Sequence, residues 1–211
     1  MFITLEGIEG SGKTTQVDAI AGWLQAAGHR VLTTREPGGT AIGGQIRSIL
    51  LHPDNHDMAA TTELLLYVAD RAQHLETVIR PALSAGKVVV CDRFFDATLV
   101  YQGYARGLDR TLIRKLHHLA CDGMQPSLTL LLDLDPEIGL RRAWQRIHSD
   151  AVHASESRFE KETLAFHQRV RAGYLDLAVN APQRFVVVDA GREPAAVTRQ
   201  IEAALAAYFL Q

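Results

Sequence analysis

The chain of 211 residues is poor in cysteine, with only Cys91 and Cys121. Two thiols make no disulfide framework, which excludes a small secreted scaffold. Cys91 ends an apolar run and Cys121 sits in a helical pattern, so buried free thiols in a reducing compartment are expected. No stretch approaches the roughly 18 apolar residues that a helical membrane span needs. Glu6 follows within a few residues of Met1, with no signal-peptide pattern between them. The expectation is a soluble, cytoplasmic chain with no membrane partner. Charge of one sign is also scarce: 22 Lys+Arg stand against 24 Asp+Glu, for a net charge of −2. Such a chain has no broad pull on nucleic acid or anionic lipid, so no nucleic-acid partner is expected and any basic site is local. Internal repeats and low-complexity linkers are lacking too.

What is present fits an ordinary globular protein, with 47% hydrophobic and 22% charged residues. The length predicts a single domain over residues 1–211. Five short apolar runs read as strands: Phe2–Leu5, Val31–Thr34, Val88–Cys91, Leu128–Leu132 and Phe185–Val188. Unbroken apolar runs of this length suit strands buried on both faces, as in a parallel sheet. Helical spacing links Leu64, Leu65, Val68, Ala72, Leu75, Ile79 and Leu83. It recurs over Leu112, Ile113, Leu116, Leu119 and Ala120, and over Val197, Ile201, Leu205 and Tyr208. Strand and helix alternate throughout, which predicts a doubly wound α/β fold. Glu36–Gly44, with one proline and four glycines, and the polar Ile147–Ser157 read as loops.

Gly7-Ile8-Glu9-Gly10-Ser11-Gly12-Lys13-Thr14 matches the phosphate-loop pattern at every defined position. It follows a predicted strand and opens a helix, the context that pattern requires. Its glycines let backbone N–H groups turn toward phosphate oxygens, and the helix N-terminus adds partial positive charge. Lys13 is placed to reach the β- and γ-phosphates of ATP, and the hydroxyl of Thr14, followed by Thr15, suits Mg²⁺. Asp92, closing an apolar strand, is the second metal candidate, with Asp133 as its rival.

A phosphate loop alone leaves kinases, GTPase switches and partner-driven ATPases open. The Asn-Lys-x-Asp guanine motif is missing, and there is little room for motor or lid domains. Arg35, Arg71 and Arg93 stand beside strand ends, where forked donors suit a second phosphorylated substrate. Tyr67 and Arg71 are four apart on one helix face, so a ring and a guanidinium can meet one base.

Phe2–Gln16, Arg35-Glu36-Pro37-Gly38-Gly39-Thr40, Asp92-Arg93, Tyr101-Gln102-Gly103 and Arg158-Phe159-Glu160 together resemble thymidylate (dTMP) kinases of the bacterial form. The resemblance runs nearly end to end. It implies a three-layer P-loop kinase fold with a five-stranded parallel sheet, the reaction ATP + dTMP → ADP + dTDP with Mg²⁺, and a homodimer. By resemblance, Tyr67 stacks on thymine, Arg71 contacts its O4, and Arg93 holds the dTMP phosphate. Thr98 meets the base edge and Tyr101 lies against the 2′ carbon, with Gln102, Arg35 and Pro37 also on the substrate side. Glu9 puts an acid inside the phosphate loop, but Gly10 and Ser11 follow it, so this loop carries no arginine. That resembles the subtype whose catalytic arginine comes from a lid, expected here as a mobile segment around 143–158. Arg158 is the first candidate for that arginine and Arg146 the second. Arg192, after the last strand, is expected at the adenine.

Overall fold

The computed structural model describes residues 1–149 and 155–209. Its sheet holds β1 (Phe2–Glu6), β2 (Val31–Arg35), β3 (Val88–Asp92), β4 (Leu128–Asp133) and β5 (Phe185–Asp189). All pairings are parallel, in the order β2-β3-β1-β4-β5. The three central strands are buried almost throughout, whereas the edge strands β2 and β5 are partly exposed. Each strand runs one residue past its apolar run, because a polar terminal residue still joins the ladder: Glu6, Arg35, Asp92, Asp133 and Asp189.

The sheet is flanked by helices α1 (Lys13–Ala26), α2 (Ala41–Leu51), α3 (Ala60–His74), α4 (Arg80–Ser84), α5 (Phe95–Thr98), α6 (Arg110–Cys121), α7 (Pro136–Ser149), α8 (Leu164–Asn180) and α9 (Pro194–Phe209). α1 packs on β1, β2 and β3 and meets α9, which lies on β5; α8 packs on β4 and β5. Cys91 and Cys121 are both buried free thiols.

Two helical paths differ from the periodic reading. The predicted 64–83 helix passes through a π-helical turn, Leu75–Ile79, before α4. Pro81 follows at once and has no N–H to donate back, which loosens the turn before it. A second π-helical segment, Leu99–Ala105, carries Tyr101 and Gln102. α6 buries Ile113, His117 and Cys121, leaving Leu112 and Leu119 exposed.

The two expected loops are shorter than their composition suggested. Thr40 caps α2 by accepting the N–H of Gly43 at 2.8 Å, so Ala41–Gly44 is helical despite its glycines. Gly43 has to be small, since a Cβ there would stand 2.3 Å from Asp70 Oδ1. α7 extends through Ile147–Ser149, and residues 150–154 of that expected loop lie outside the described residues.

The turn after β3 is tied down from below. Arg184 forms a bidentate pair with Asp96, at 2.6 and 2.7 Å, and also donates to Thr129 Oγ1 on β4 at 2.9 Å. Asp96 is buried. Replacing Arg184 with Ala strands that carboxylate, which costs about 3–5 kcal/mol for a broken buried pair. Urea unfolding of Arg184→Ala should show a loss of that order, and a midpoint matching the unsubstituted chain would exclude this anchor.

Candidate active site

The C-terminal ends of β1, β2 and β3 open into a cavity of about 700 Å³. In a parallel sheet this is the end at which ligands are received. Backbone bonds knit the strand ends together: Glu36 N donates to Asp92 O and Arg93 N to Leu5 O, both at 2.9 Å.

The loop after β1 is shaped by close approach. A Cβ on Gly10, whose φ is +71°, would stand 2.1 Å from Gly139 O. Lys13 opens α1 and folds its ammonium into the loop, donating to Gly7 O at 3.0 Å, Ile8 O at 2.8 Å and Ser11 Oγ at 3.3 Å. Burial and the neighbouring Arg93 push its pKa down to about 8, against the pull of Asp92, Glu9 and Glu6. No side chain caps the start of α1, which leaves its first N–H groups to an anion.

Arg93 is the hub. Its backbone is left-handed, with φ +67°, a strained position for a residue with a side chain. The turn aims its guanidinium back at the phosphate loop, where Nη2 donates to Gly7 O at 3.1 Å and Glu9 Oε1 at 2.9 Å. Tyr101 completes the triangle, donating to Glu9 Oε1 at 2.6 Å and accepting from Arg93 Nη2 at 2.9 Å. His167 Nδ1 lies 3.3 Å from Glu9 Oε2, within ion-pair range but off the hydrogen-bond line. Burial pushes the Glu9 carboxyl up, yet His167, Arg93 and Lys13 outweigh it and hold the pKa well below the usual carboxylate range.

Asp92 lines the same cavity with a buried Oδ1 that has no hydrogen-bond partner, and Thr14 lines it too. A hard carboxylate and a hydroxyl are a donor set that fits Mg²⁺. Asp133, the rival, is held by Arg171 at 2.7 and 2.8 Å instead.

Away from the loop the cavity is walled by Tyr67, Arg71, Thr98 and Gln102. Arg71 is almost fully buried and donates to Glu36 Oε2 and Thr98 Oγ1, both at 2.8 Å. Gln102 donates Nε2 to the buried Glu63 at 2.8 Å. Among these four residues, Arg71 Nη1 and Gln102 Oε1 remain buried without a partner.

A phosphate cradle, a strand-end arginine and a polar pocket on one cavity suit phosphoryl transfer between two bound anions. The thymidylate kinase family model matches residues 5–201. The chain is 58% identical over 205 residues to the thymidylate kinase of Desulfosudis oleivorans, covering 97% of this chain and 96% of that one. It is 57% identical, over the same shares, to the thymidylate kinase of Trichlorobacter lovleyi. The chain belongs to the thymidylate kinase family. The crystal structure of thymidylate kinase from Ehrlichia chaffeensis superposes with a TM-score of 0.76 at 34% identity, covering 97% of both chains.

Within this family member, most of the sequence-derived residues share one cavity. Glu9, Gly10, Gly12, Lys13, Thr14, Thr15, Arg35, Pro37, Asp92 and Arg93 line it, as do the four pocket residues named above, Tyr101 and Arg146. Gly7 and Ser11 stand behind it as acceptors for Lys13. Two arginines are elsewhere. Arg158 is buried, pairs with Glu63 Oε2 at 2.6 Å and bonds Leu50 O, so its guanidinium is spent on the α3 side. Arg192 is exposed, pairs with Asp189 at 2.9 Å and does not line the cavity. Arg47 was missed. It lines the cavity from α2, donates to Pro37 O at 3.0 Å and to Glu156 at 2.7 and 2.9 Å, and no motif points to it.

Beneath the hub, Glu6 accepts from Phe94 N at 2.8 Å and Tyr174 OH at 2.7 Å. Burial and Asp96 raise its pKa to about 8, against Tyr174, Arg93 and the Phe94 N–H. The folded chain therefore holds a proton that the unfolded chain gives up near pH 4.5. This contribution to stability is full below about pH 4.5 and is lost as pH rises to about 8. Glu6→Gln should flatten the fall in unfolding free energy between pH 5 and 8, and an unchanged slope in paired urea titrations would refute the assignment.

Proposed function

We propose that this cavity transfers the γ-phosphoryl group of ATP to the 5′-phosphate of dTMP, giving ADP and dTDP, by in-line displacement. The observation that carries the reading is the single cavity with Lys13 and Arg93 at one end and unpartnered Arg71 Nη1 and Gln102 Oε1 at the other. The phosphate loop and the start of α1 cradle the ATP phosphates, and Arg93, with Arg35 and Arg47, receives the acceptor phosphate. The Glu63 carboxylate accepts the Gln102 amide N–H, which leaves the amide oxygen as the free acceptor. A donor from Arg71 and an acceptor from Gln102 complement the 4-oxo and N3–H edge of thymine. Cytosine presents the reverse pattern. Tyr67 supplies a ring face for the base, and Tyr101 packs beside the sugar.

Thr14 and Asp92 would hold Mg²⁺, which when bound screens charge on the phosphates. Glu9 keeps Arg93 and Tyr101 oriented and, held below the usual carboxylate range, stays ionised. The reading takes 1–211 as one kinase domain whose segment around 143–158 closes as a lid and excludes water. Arg146, on the cavity wall, is the arginine that such a lid carries to the transferred group; Arg158 anchors the segment's far end to Glu63.

The same reading makes the chain a cytoplasmic homodimer. Ile42 and Ile49 on α2, Leu65 on α3 and Leu112 on α6 are each about half exposed, at 47–52%, and α3 packs against both α2 and α6. Four large apolar side chains on adjacent helices suit a subunit interface. Leu65→Glu should shift the mass measured by light scattering from two chains to one. A monomeric unsubstituted protein at micromolar concentration would refute the dimer.

An ADP-release assay against dTMP, dUMP, dCMP, AMP, GMP and no acceptor tests the reaction. dTMP should be the best acceptor, with no turnover in its absence. Lys13→Ala should abolish transfer, and Arg146→Ala should lower the single-turnover rate by about 10³-fold, as for a transition-state arginine. Arg158→Ala should act on stability, because it takes one of two arginines from the buried Glu63 carboxylate. ADP release independent of acceptor, or a faster purine acceptor, would overturn the reading.

A further inference from the structure

The cluster beneath Arg71 reaches beyond the residues that face the cavity. Arg71 and His74 lie three apart on α3, so both meet the same neighbour. That neighbour is Glu36, in the connection after β2, and its two oxygens are shared between them. Arg71 Nε donates to Oε2 at 2.8 Å and His74 Nδ1 to Oε1 at 2.9 Å. A carboxylate only accepts, so the Nδ1 position carries the ring hydrogen. On a neutral ring, His74 Nε2 is then the acceptor for the Thr34 hydroxyl, at 2.6 Å. All three inner members are buried: His74 at 0%, Arg71 at 2% and Glu36 at 5% exposure.

The surroundings close tightly around these bonds. A Cβ on Gly39 would lie 2.5 Å from His74 Nε2, so the glycine lets the connection close over the imidazole. On its other side Arg71 Nη2 is taken by Thr98 Oγ1 at 2.8 Å and Phe94 O at 3.3 Å. The guanidinium plane rests near the Phe94 and Phe95 rings, 5.4 and 5.8 Å from their centroids. Nε and Nη2 are thus committed, and Nη1 is the one nitrogen left without a partner. A guanidinium is planar, so fixing two of its nitrogens fixes the direction of the third.

We propose that His74, acting through Glu36, is a positioning residue that sets the direction of Arg71 Nη1 and thereby the preference for an acceptor base bearing an oxo group over one bearing an amino group. This rests on the base-pocket assignment made above. His74 touches no substrate. It keeps the Glu36 carboxylate from turning, and a carboxylate that cannot turn holds the Arg71 fork. With the fork loosened, Arg71 can withdraw from an amino group that it would otherwise oppose donor to donor. Loss of the clamp should therefore cost dTMP more than dCMP.

The test compares kcat/KM for dTMP and dCMP in the full-length enzyme. His74→Ala should lower the dTMP/dCMP ratio by about 10-fold or more, the order expected when one charge-assisted hydrogen bond is lost. His74→Gln, with an amide N–H for Glu36 and an oxygen for Thr34, should recover most of the ratio. A general loss of packing would lower both activities and the melting temperature but leave the ratio and its rescue unmoved. An unchanged ratio in His74→Ala, or Gln no better than Ala, overturns the proposal. If His74→Ala fails to fold, Thr34→Val removes only the outermost bond, and it too should lower the ratio; no change there overturns the proposal. Arg71→Lys separates the two readings. If it keeps the ratio of the unsubstituted enzyme, the base pocket itself is misassigned. If it loses the ratio while the His74 variants keep it, only the clamp is rejected.

Discussion

The left-handed turn at Arg93 is the constraint on which the site depends. A strand that ended in the usual way would carry this side chain away from β1. Instead Arg93 N is fixed to Leu5 O and Phe94 N to Glu6, so the guanidinium doubles back over the phosphate loop. That places a second cation beside Lys13, where its repulsion adds to burial in lowering the lysine's pKa. Glu9 and Asp92 make the pairing tolerable. The result is a pocket of fixed positive charge whose cost is met by buried acids around it, the preorganisation that phosphoryl transfer requires.

Much of the polar interior serves this arrangement at one remove. Asp96 and Arg184 hold the turn from beneath, while Glu63 gathers Gln102, Arg106 and Arg158 around one carboxylate. Such groups are expensive to bury and are kept only where partners surround them. Here each one ties an element that carries a cavity residue to another part of the chain. Glu63 joins the segment holding Gln102 to the chain near Arg158, so the Gln102 wall of the cavity and the far side of the expected lid share an anchor.

The central sheet was legible because a strand buried on both faces writes an unbroken apolar run. The phosphate loop was legible because its glycines and lysine act through local backbone geometry, and Tyr67 and Arg71 because helical spacing puts them together. Other features depend on contacts that no spacing encodes. Arg158 and Arg146 look alike as sequence, and only the buried partner Glu63 separates them. Arg47 is an ordinary helix arginine until α2 packs beside the loop holding Pro37. Leu112 and Leu119 kept the helical period but lie off the face that packs. The strand ends were read one residue short because a charge breaks hydrophobicity, not pairing.

The π-helical segment Leu99–Ala105 gives the chain a phase as well as a path. Each residue of an α-helix turns the next side chain by about 100°, so a widened turn delays every later side chain relative to a regular helix. Gln102 meets Glu63 and Tyr101 meets Glu9 from within this widened segment. The count of residues here therefore behaves like the setting of a dial. Removing one would leave the composition of the cavity wall nearly intact while turning Gln102 and Tyr101 away from their present partners. Length, at this point in the chain, is as much a part of specificity as the identity of any side chain.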